Sequence, residues 1–166
     1  LAARFMQKII DDQYAASRQG TTSEFACVVV TRPAWKAELF GNPYQIYRSV
    51  VQEVEVKLRR LPPEGLLTYR ITADGQAKGL IEIRGSKDRK AALDEAVRRF
   101  FMSSYGDGAA FELACELLEE RDFVGAVRLL RQILERHPDP SVPRDEILLR
   151  LAVANSRLGD QQPAEE

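Results

Sequence analysis

His137 is the one histidine of the chain, and it stands directly before Pro138. An imidazole changes charge near neutral pH, so it suits general-base or metal-ligand work. Either role needs companions, such as a nucleophile, an orienting carboxylate or further ligands. No second histidine exists, and no cysteine lies near it in sequence. A cationic His near a helix C-terminus has a plain electrostatic rationale, because it faces the negative end of the helix dipole. His137 is therefore read as structural. Ser103-Ser104 offers two hydroxyls, but the sequence assigns them no base. Asp11-Asp12 and Glu119-Glu120 are adjacent carboxylate pairs. Neighbours on a helix diverge by about 100°, whereas an acid/base pair must converge on one cleft. Solvated helix faces are expected for both pairs.

Other chemistries find less support. Gly79, Gly85 and Ser86-Lys87 lack the spacing of a phosphate loop. The basic cluster Arg84, Lys87, Arg89 and Lys90 is surrounded by Glu82, Asp88, Asp94 and Glu95, which fits a charged helix surface. Lys plus Arg number 24 against 25 for Asp plus Glu, so no electrostatic footprint for nucleic acid or anionic lipid stands out. Cys27 and Cys115 are too few for a disulfide framework and lack metal-ligand spacing. One bridge between them stays open, but two separate buried thiols fit the habit of free cysteine better. No catalytic residue, metal or cofactor is expected.

The elements that would position these groups are mostly helical. Ala2, Phe5, Met6, Ile9 and Ile10 share a helical face, with Gly20 as a stop. Phe25 to Thr31 is β-branched and ends before Pro33, which reads as a strand. Glu38-Leu39-Phe40 and Tyr44-Gln45-Ile46 flank the turn Gly41-Asn42-Pro43, so a small β-hairpin is expected near residues 25–46. Helical periodicity returns at Tyr47, Val50, Val51, Val54 and Leu58, and Pro62-Pro63 forbids its continuation. Two short helices follow, Leu66 to Ile71 and Gln76 to Ile83, broken at Asp74-Gly75. A clearer helix with Ser86 as N-cap buries Leu93, Ala96, Val97, Phe100 and Phe101.

From Ala109 the pattern is at its most regular. Ala110, Leu113, Ala114, Leu117 and Leu118 form one face. Phe123, Ala126, Val127, Leu130, Ile133 and Leu134 form a second, closed by Pro138. A connection as short as Arg121-Asp122 obliges two antiparallel helices to pack on each other. Ala114 and Ala126 would sit where the backbones come closest. Ala110-x-x-Leu113-Ala114-x-x-Leu117, then Asp122-Phe123, Ala126, Leu130, Ile133 and Pro138, resembles a tetratricopeptide repeat. Ala110 replaces the usual Trp, Ala114 the usual Gly, and Arg121 the usual turn Gly. Leu148, Leu151, Ala152, Asn155, Leu158-Gly159-Asp160 and Ala164 fall in register as a partial second copy after the loop Asp139 to Arg144.

A wider resemblance rests on Leu61-Pro62-Pro63-Glu64-Gly65-Leu66-Leu67-Thr68-Tyr69-Arg70 and on Val97-Arg98-Arg99-Phe100-Phe101-Met102-Ser103-Ser104-Tyr105-Gly106-Asp107. Both are similar to segments of bacterial proteins in which a helical, repeat-containing region precedes a β-propeller of the pyrroloquinoline-quinone type. The resemblance implies a periplasmic or cell-envelope protein with a propeller downstream. The chain contains no propeller strands, so quinone binding is not carried over. Its start at Leu1-Ala2-Ala3-Arg4, inside a helical pattern and without an initiator Met, suggests a piece of a longer protein. No signal peptide is visible, and no apolar run approaches the ~20 residues needed to span a bilayer.

The expected fold is therefore mainly all-α, with helical hairpins of tetratricopeptide type in a short solenoid. Residues 1–105 would form a helical N-terminal region and residues 106–166 the repeats, either as two domains or as one continuous one. The resemblance implies that the first helix of each repeat lines a groove, here formed by Phe111, Cys115 and Leu118, joined by Leu149 and Val153. The expected function is a non-enzymatic scaffold holding a protein or peptide partner, or a downstream domain of the same chain. A spacer without its own partner and a regulatory domain of an enzyme are the alternatives.

Overall fold

A computed structural model of the 166-residue chain describes residues 2–19, 27–30, 46–82 and 88–161. The chain divides into two compact units, Leu1–Arg60 and Leu61–Glu166. The division falls between Arg60 and Leu61, just before Pro62-Pro63, and not at the expected residues 105 and 106. The helices on either side of Tyr105 instead pack on each other, and Phe100, Phe101, Met102 and Ser103 are all buried.

The first unit holds helix α1 (Ala2–Arg18), strands β1 (Cys27–Val30) and β2 (Ile46–Ser49), and helix α2 (Val50–Arg59). α1 buries Ala3, Gln7 and Ile10, an i, i+4, i+7 stripe, and packs against α2. Phe5, expected on that face, is 64% exposed. At 3.6 residues per turn it lies nearly opposite Ala3, so a stripe wide enough to include both cannot face one neighbour. Gln7 donates its side-chain amide to Asp11 at 3.0 Å, one turn on. α2 turns Val50, Val54 and Leu58 inward.

β1 and β2 pair antiparallel, with Cys27 opposite Ser49 and Val30 opposite Ile46. A hairpin was expected nearby, but its second strand runs later than the sequence suggested. Tyr47 belongs to β2 and not to the following helix. Val28–Val30 supply the ladder partner, and pairing with a β-branched strand overrides a helical period in so short a segment. Gly20, the expected strand Glu38-Leu39-Phe40 and the turn Gly41-Asn42-Pro43 lie outside the described residues.

The second unit contains α3 (Pro63–Ile81), α4 (Arg89–Phe100), α5 (Gly106–Glu119), α6 (Phe123–Arg136) and α7 (Arg144–Gln161). Seven helices dominate the described residues. Within this unit each helix packs on the next in sequence, and α7 also touches α5. This is the neighbour-on-neighbour packing of a short solenoid. Pro63 starts α3 at its first position, where a missing N–H breaks no helical bond.

α3 runs unbroken through Asp74-Gly75, contrary to the expected break. Tyr69, Ala73 and Ala77 are buried along one stripe of it. A mid-helix Gly costs only about 1 kcal/mol relative to Ala, which such packing outweighs. Asp74 does not compete with its own backbone, because its Oδ1 accepts from Ser104 N at 2.9 Å. α4 begins at Arg89, with Asp88 in the capping position but making no side-chain cap bond. Ser86, the expected cap, lies outside the described residues.

The α5–α6 hairpin follows the expected pattern. Ala110, Leu113 and Ala114 of α5 are buried, as are Phe123, Ala126, Leu130 and Ile133 of α6. The turn between them is a complete Schellman motif. Asp122 N donates to Leu117 O at 2.8 Å, and Arg121 N to Leu118 O at 3.2 Å. Arg121 holds the left-handed position with φ 65°, where glycine is usual. Asp122 then caps α6, its Oδ1 accepting from Gly125 N at 2.9 Å.

Candidate partner groove and the polar joint beside it

Phe111 and Cys115 stand one turn apart on α5, so their side chains lie one above the other. Both are half-buried. They line an open cleft of about 500 Å³, together with Ile81, Gly108, Ala109 and Glu112. Ser104, Tyr105 and Ser141 form its polar end. Glu112 is held by Arg89, which also reaches Glu116 at 3.7 Å, while Lys90 pairs with Glu120. The basic cluster is thus partly spent on ion pairs with α5; Arg84 and Lys87 lie outside the described residues. Cys115 carries a free thiol and is only half-buried, not buried as expected. Burial pushes its pKa up, Glu146 and Glu119 add to that, and Arg150 opposes them. Such a thiol is a weak nucleophile at neutral pH.

The other three groove residues stand apart from this cleft. Leu118 is half-buried on α5 but is not among the cleft-lining residues. Leu149 and Val153 are 63% and 46% exposed on α7, beside Leu148 at 43%. Leu148 was expected to face the core in the second copy. Ile147 and Ala154 are fully buried there instead, with Leu151 and Leu158 half-buried on the same stripe. α7 turns this stripe toward α6 and α5, its neighbours. Leu148, Ala152 and Asn155 lie one residue, or about 100°, around the helix from this stripe.

His137 has no companions close in sequence, and the fold supplies them. His137 is 4% exposed. Its Nε2 lies 3.3 Å from the carbonyl of Ser103, a bond in which the imidazole donates. The ring of Phe101 meets it edge-on, with centroids 5.5 Å apart. Asp107, fully buried in the first turn of α5, faces it electrostatically. Burial lowers the His137 pKa from its ordinary 6.5, with Asp107, the Ser103 bond and Asp139 opposing and Arg70 assisting. Nδ1 is buried without a hydrogen bond, 3.8 Å from Asp139 Oδ1.

Asp107 ties the start of α5 to the loop before α7. Its Oδ2 accepts from Ser141 N at 2.5 Å, Ser141 Oγ at 2.7 Å and Val142 N at 3.1 Å. Burial alone would raise its pKa, but the Ser141 hydroxyl, the Val142 amide, the field of His137 and the Ser141 amide together hold it below the ordinary 3.8. Arg70 on α3 grips Asp139 through both guanidinium nitrogens, at 2.8 and 2.5 Å, and its Nε reaches the Met102 carbonyl at 3.5 Å. That grip holds the Asp139 carboxyl below its usual range. The position of Asp107 at a helix N-terminus suits a carboxylate as well.

The cluster joins four segments: α3, the turn after α4, the start of α5 and the loop after α6. His137 meets the carbonyl of Ser103, whereas the Ser103 hydroxyl accepts from Tyr105 N at 3.3 Å. This is the geometry of a braced joint and not of a serine–histidine dyad, in which the hydroxyl must face the imidazole. His137 and Asp107 are not among the residues lining the cleft. Among the described residues no group of three or more His, Cys, Asp or Glu is placed to hold a metal ion, and no helix is long and apolar enough to cross a membrane. Comparison with known proteins returns no matching family model, no matching curated protein and no matching solved structure.

Proposed function

We propose that the chain is a non-enzymatic interaction scaffold of tetratricopeptide type, part of a larger extracytoplasmic protein, that holds a protein or peptide partner. The observation that supports the proposal is the presence of two separate apolar features, one on α5 and one on α7. One is the cleft floored by Phe111, and the other is the exposed strip Leu148, Leu149 and Val153. Contiguous exposed apolar surface with a polar surround favours contact with another chain, and an amphipathic helix or extended peptide can seat its apolar anchors on such a face. The cleft is also lined by Ser104, Ser141 and Glu112, itself held by Arg89, and these polar groups can fix the orientation of a bound backbone.

The test is a selection of peptides from a displayed random library on the full chain, followed by titration of the selected peptides. Phe111→Ala should weaken binding at least tenfold, the usual scale for a central aromatic anchor. Leu149→Glu should do so for any ligand that also uses the α7 strip. Undiminished binding by Phe111→Ala would remove the cleft from the proposal. Failure to select any peptide favours a spacer with no partner of its own.

A further inference from the structure

Two polar atoms in the joint are buried and lack hydrogen bonds, Asp107 Oδ1 and His137 Nδ1. Unpartnered buried atoms are rare in folded proteins and call for a physical account. With Nε2 donating to the Ser103 carbonyl, a neutral His137 presents Nδ1 as a bare acceptor. A proton arriving there would turn that acceptor into a donor inside a closed site.

The charges facing the imidazole come from three places. α3 contributes Arg70, α5 contributes Asp107, and the loop of His137 itself contributes Asp139. The turn after α4 adds the Phe101 ring and the Ser103 carbonyl, neither of them charged. Both carboxylates already bind other donors; Asp107 Oδ1 is left over, but the carboxylate within ion-pair distance of Nδ1 is Asp139. Asp139 accepts from Arg70 through both oxygens, and Asp107 accepts the amides of Ser141 and Val142. An imidazolium would stand 3.8 Å from Asp139, beyond hydrogen-bond distance, so closing on it means shifting a carboxylate that Arg70 already holds. Otherwise it must reach water, and that requires the loop to lift.

We propose that His137 is an acid-operated latch: protonation at Nδ1 releases the loop 137–143 from Arg70 and Asp107 and loosens α7 from the α5–α6 hairpin. The loop leads directly into α7, so the effect passes to that helix without an intermediary. Ser141 belongs to both the joint and the cleft, so opening also reshapes the cleft. The latch does not depend on whether a partner occupies that cleft.

The chain has one histidine, which makes the test unambiguous. Nuclear magnetic resonance of the full chain, from about pH 7.5 to about 4.5, reads the imidazole titration and amide protection together. Asp107 and Asp139 are both held below 3.8, so they stay charged through this window. A His whose folded pKa is lowered loses stability as pH falls below its unfolded value. Each unit by which His137 titrates below 6.5 therefore appears as about a tenfold loss of protection at Ser141 and Val142. Val97 in α4 is buried in the core and reads opening of the whole unit, so its protection should stay above that of Ser141 and Val142 at every pH, even as native stability falls. His137→Gln should abolish the pH dependence, and if that variant fails to fold, the wild-type titration decides alone. Three results would overturn the latch: titration at or above 6.5, unchanged protection at Ser141 and Val142, or protection at Ser141 and Val142 equal to that at Val97 throughout.

Discussion

Replacing Asp107 by alanine should be the most damaging polar substitution in the second unit. The side chain is fully buried, and one of its oxygens accepts three hydrogen bonds, two of them from backbone amides. A hydrogen bond to a charged group contributes about 1.5–3 kcal/mol. Three bonds to one oxygen share an acceptor and do not add. Ser141 is exposed, so its freed amide can turn to water. Removing the carboxylate also recovers its desolvation penalty. These offsets leave a net loss of about 2–4 kcal/mol, or a fall in Tm on the order of 10 °C for a chain of this size. Asp107→Asn keeps an oxygen acceptor and should lose roughly half as much. Denaturant unfolding followed by circular dichroism measures both. Because the folded pKa lies below 3.8, the contribution is fully present above that value and lost as pH falls through the folded pKa. The wild-type advantage over Asp107→Asn should therefore be level near neutral pH and shrink in strong acid. A loss below about 1 kcal/mol for Asp107→Ala would refute the view that this carboxylate anchors the loop.

Three backbone predictions can be measured in the same way. Arg121→Gly should stabilise by about 0.5–1 kcal/mol: it relieves about 1–2 kcal/mol of left-handed strain and gives back part through the looser unfolded chain. Gly106→Ala should destabilise by about 1–3 kcal/mol, because its Cβ would stand 2.1 Å from the carbonyl oxygen of Phe101, a backbone atom that cannot swing aside. The same change at Gly79, where a Cβ would meet nothing within 4 Å, should instead stabilise α3 by about 0.5–1 kcal/mol.

The contrast between hairpin and joint shows what one sequence can reveal. Ala110, Leu113, Ala114, Ala126, Leu130 and Ile133 announced themselves because the two helices that bury them adjoin in sequence and repeat at helical spacing. The turn was legible for the same reason, even with Arg121 in a glycine's place. The joint gave no such signal. Asp107 and Ser141 are 34 residues apart, and Arg70 and Asp139 are 69 apart. Neither separation follows a period, so only folding brings these groups to one point. Register errors had another source. An apolar stripe on α1 or α7 identifies a helix, but which edge of the stripe is buried depends on the neighbour. Phe5 and Leu148 were placed inside on pattern alone, and both face outward. Of the five groove residues, Phe111 and Cys115 meet in one cleft because they share a helix face. The pairing with Leu149 and Val153 depended on an inter-helix register that spacing does not set.

The Arg70–Asp139 bond has a consequence for how the array comes apart. A linear row of helices that touch only their neighbours can peel from either end, one unit at a time. This bond links the first helix of the second unit to the loop just before its last. It closes the row into a ring, so α3 cannot peel without disturbing the loop that leads into α7. With the joint closed, near neutral pH, fraying of α3 is expected to be coupled to the loop before α7 rather than independent of it.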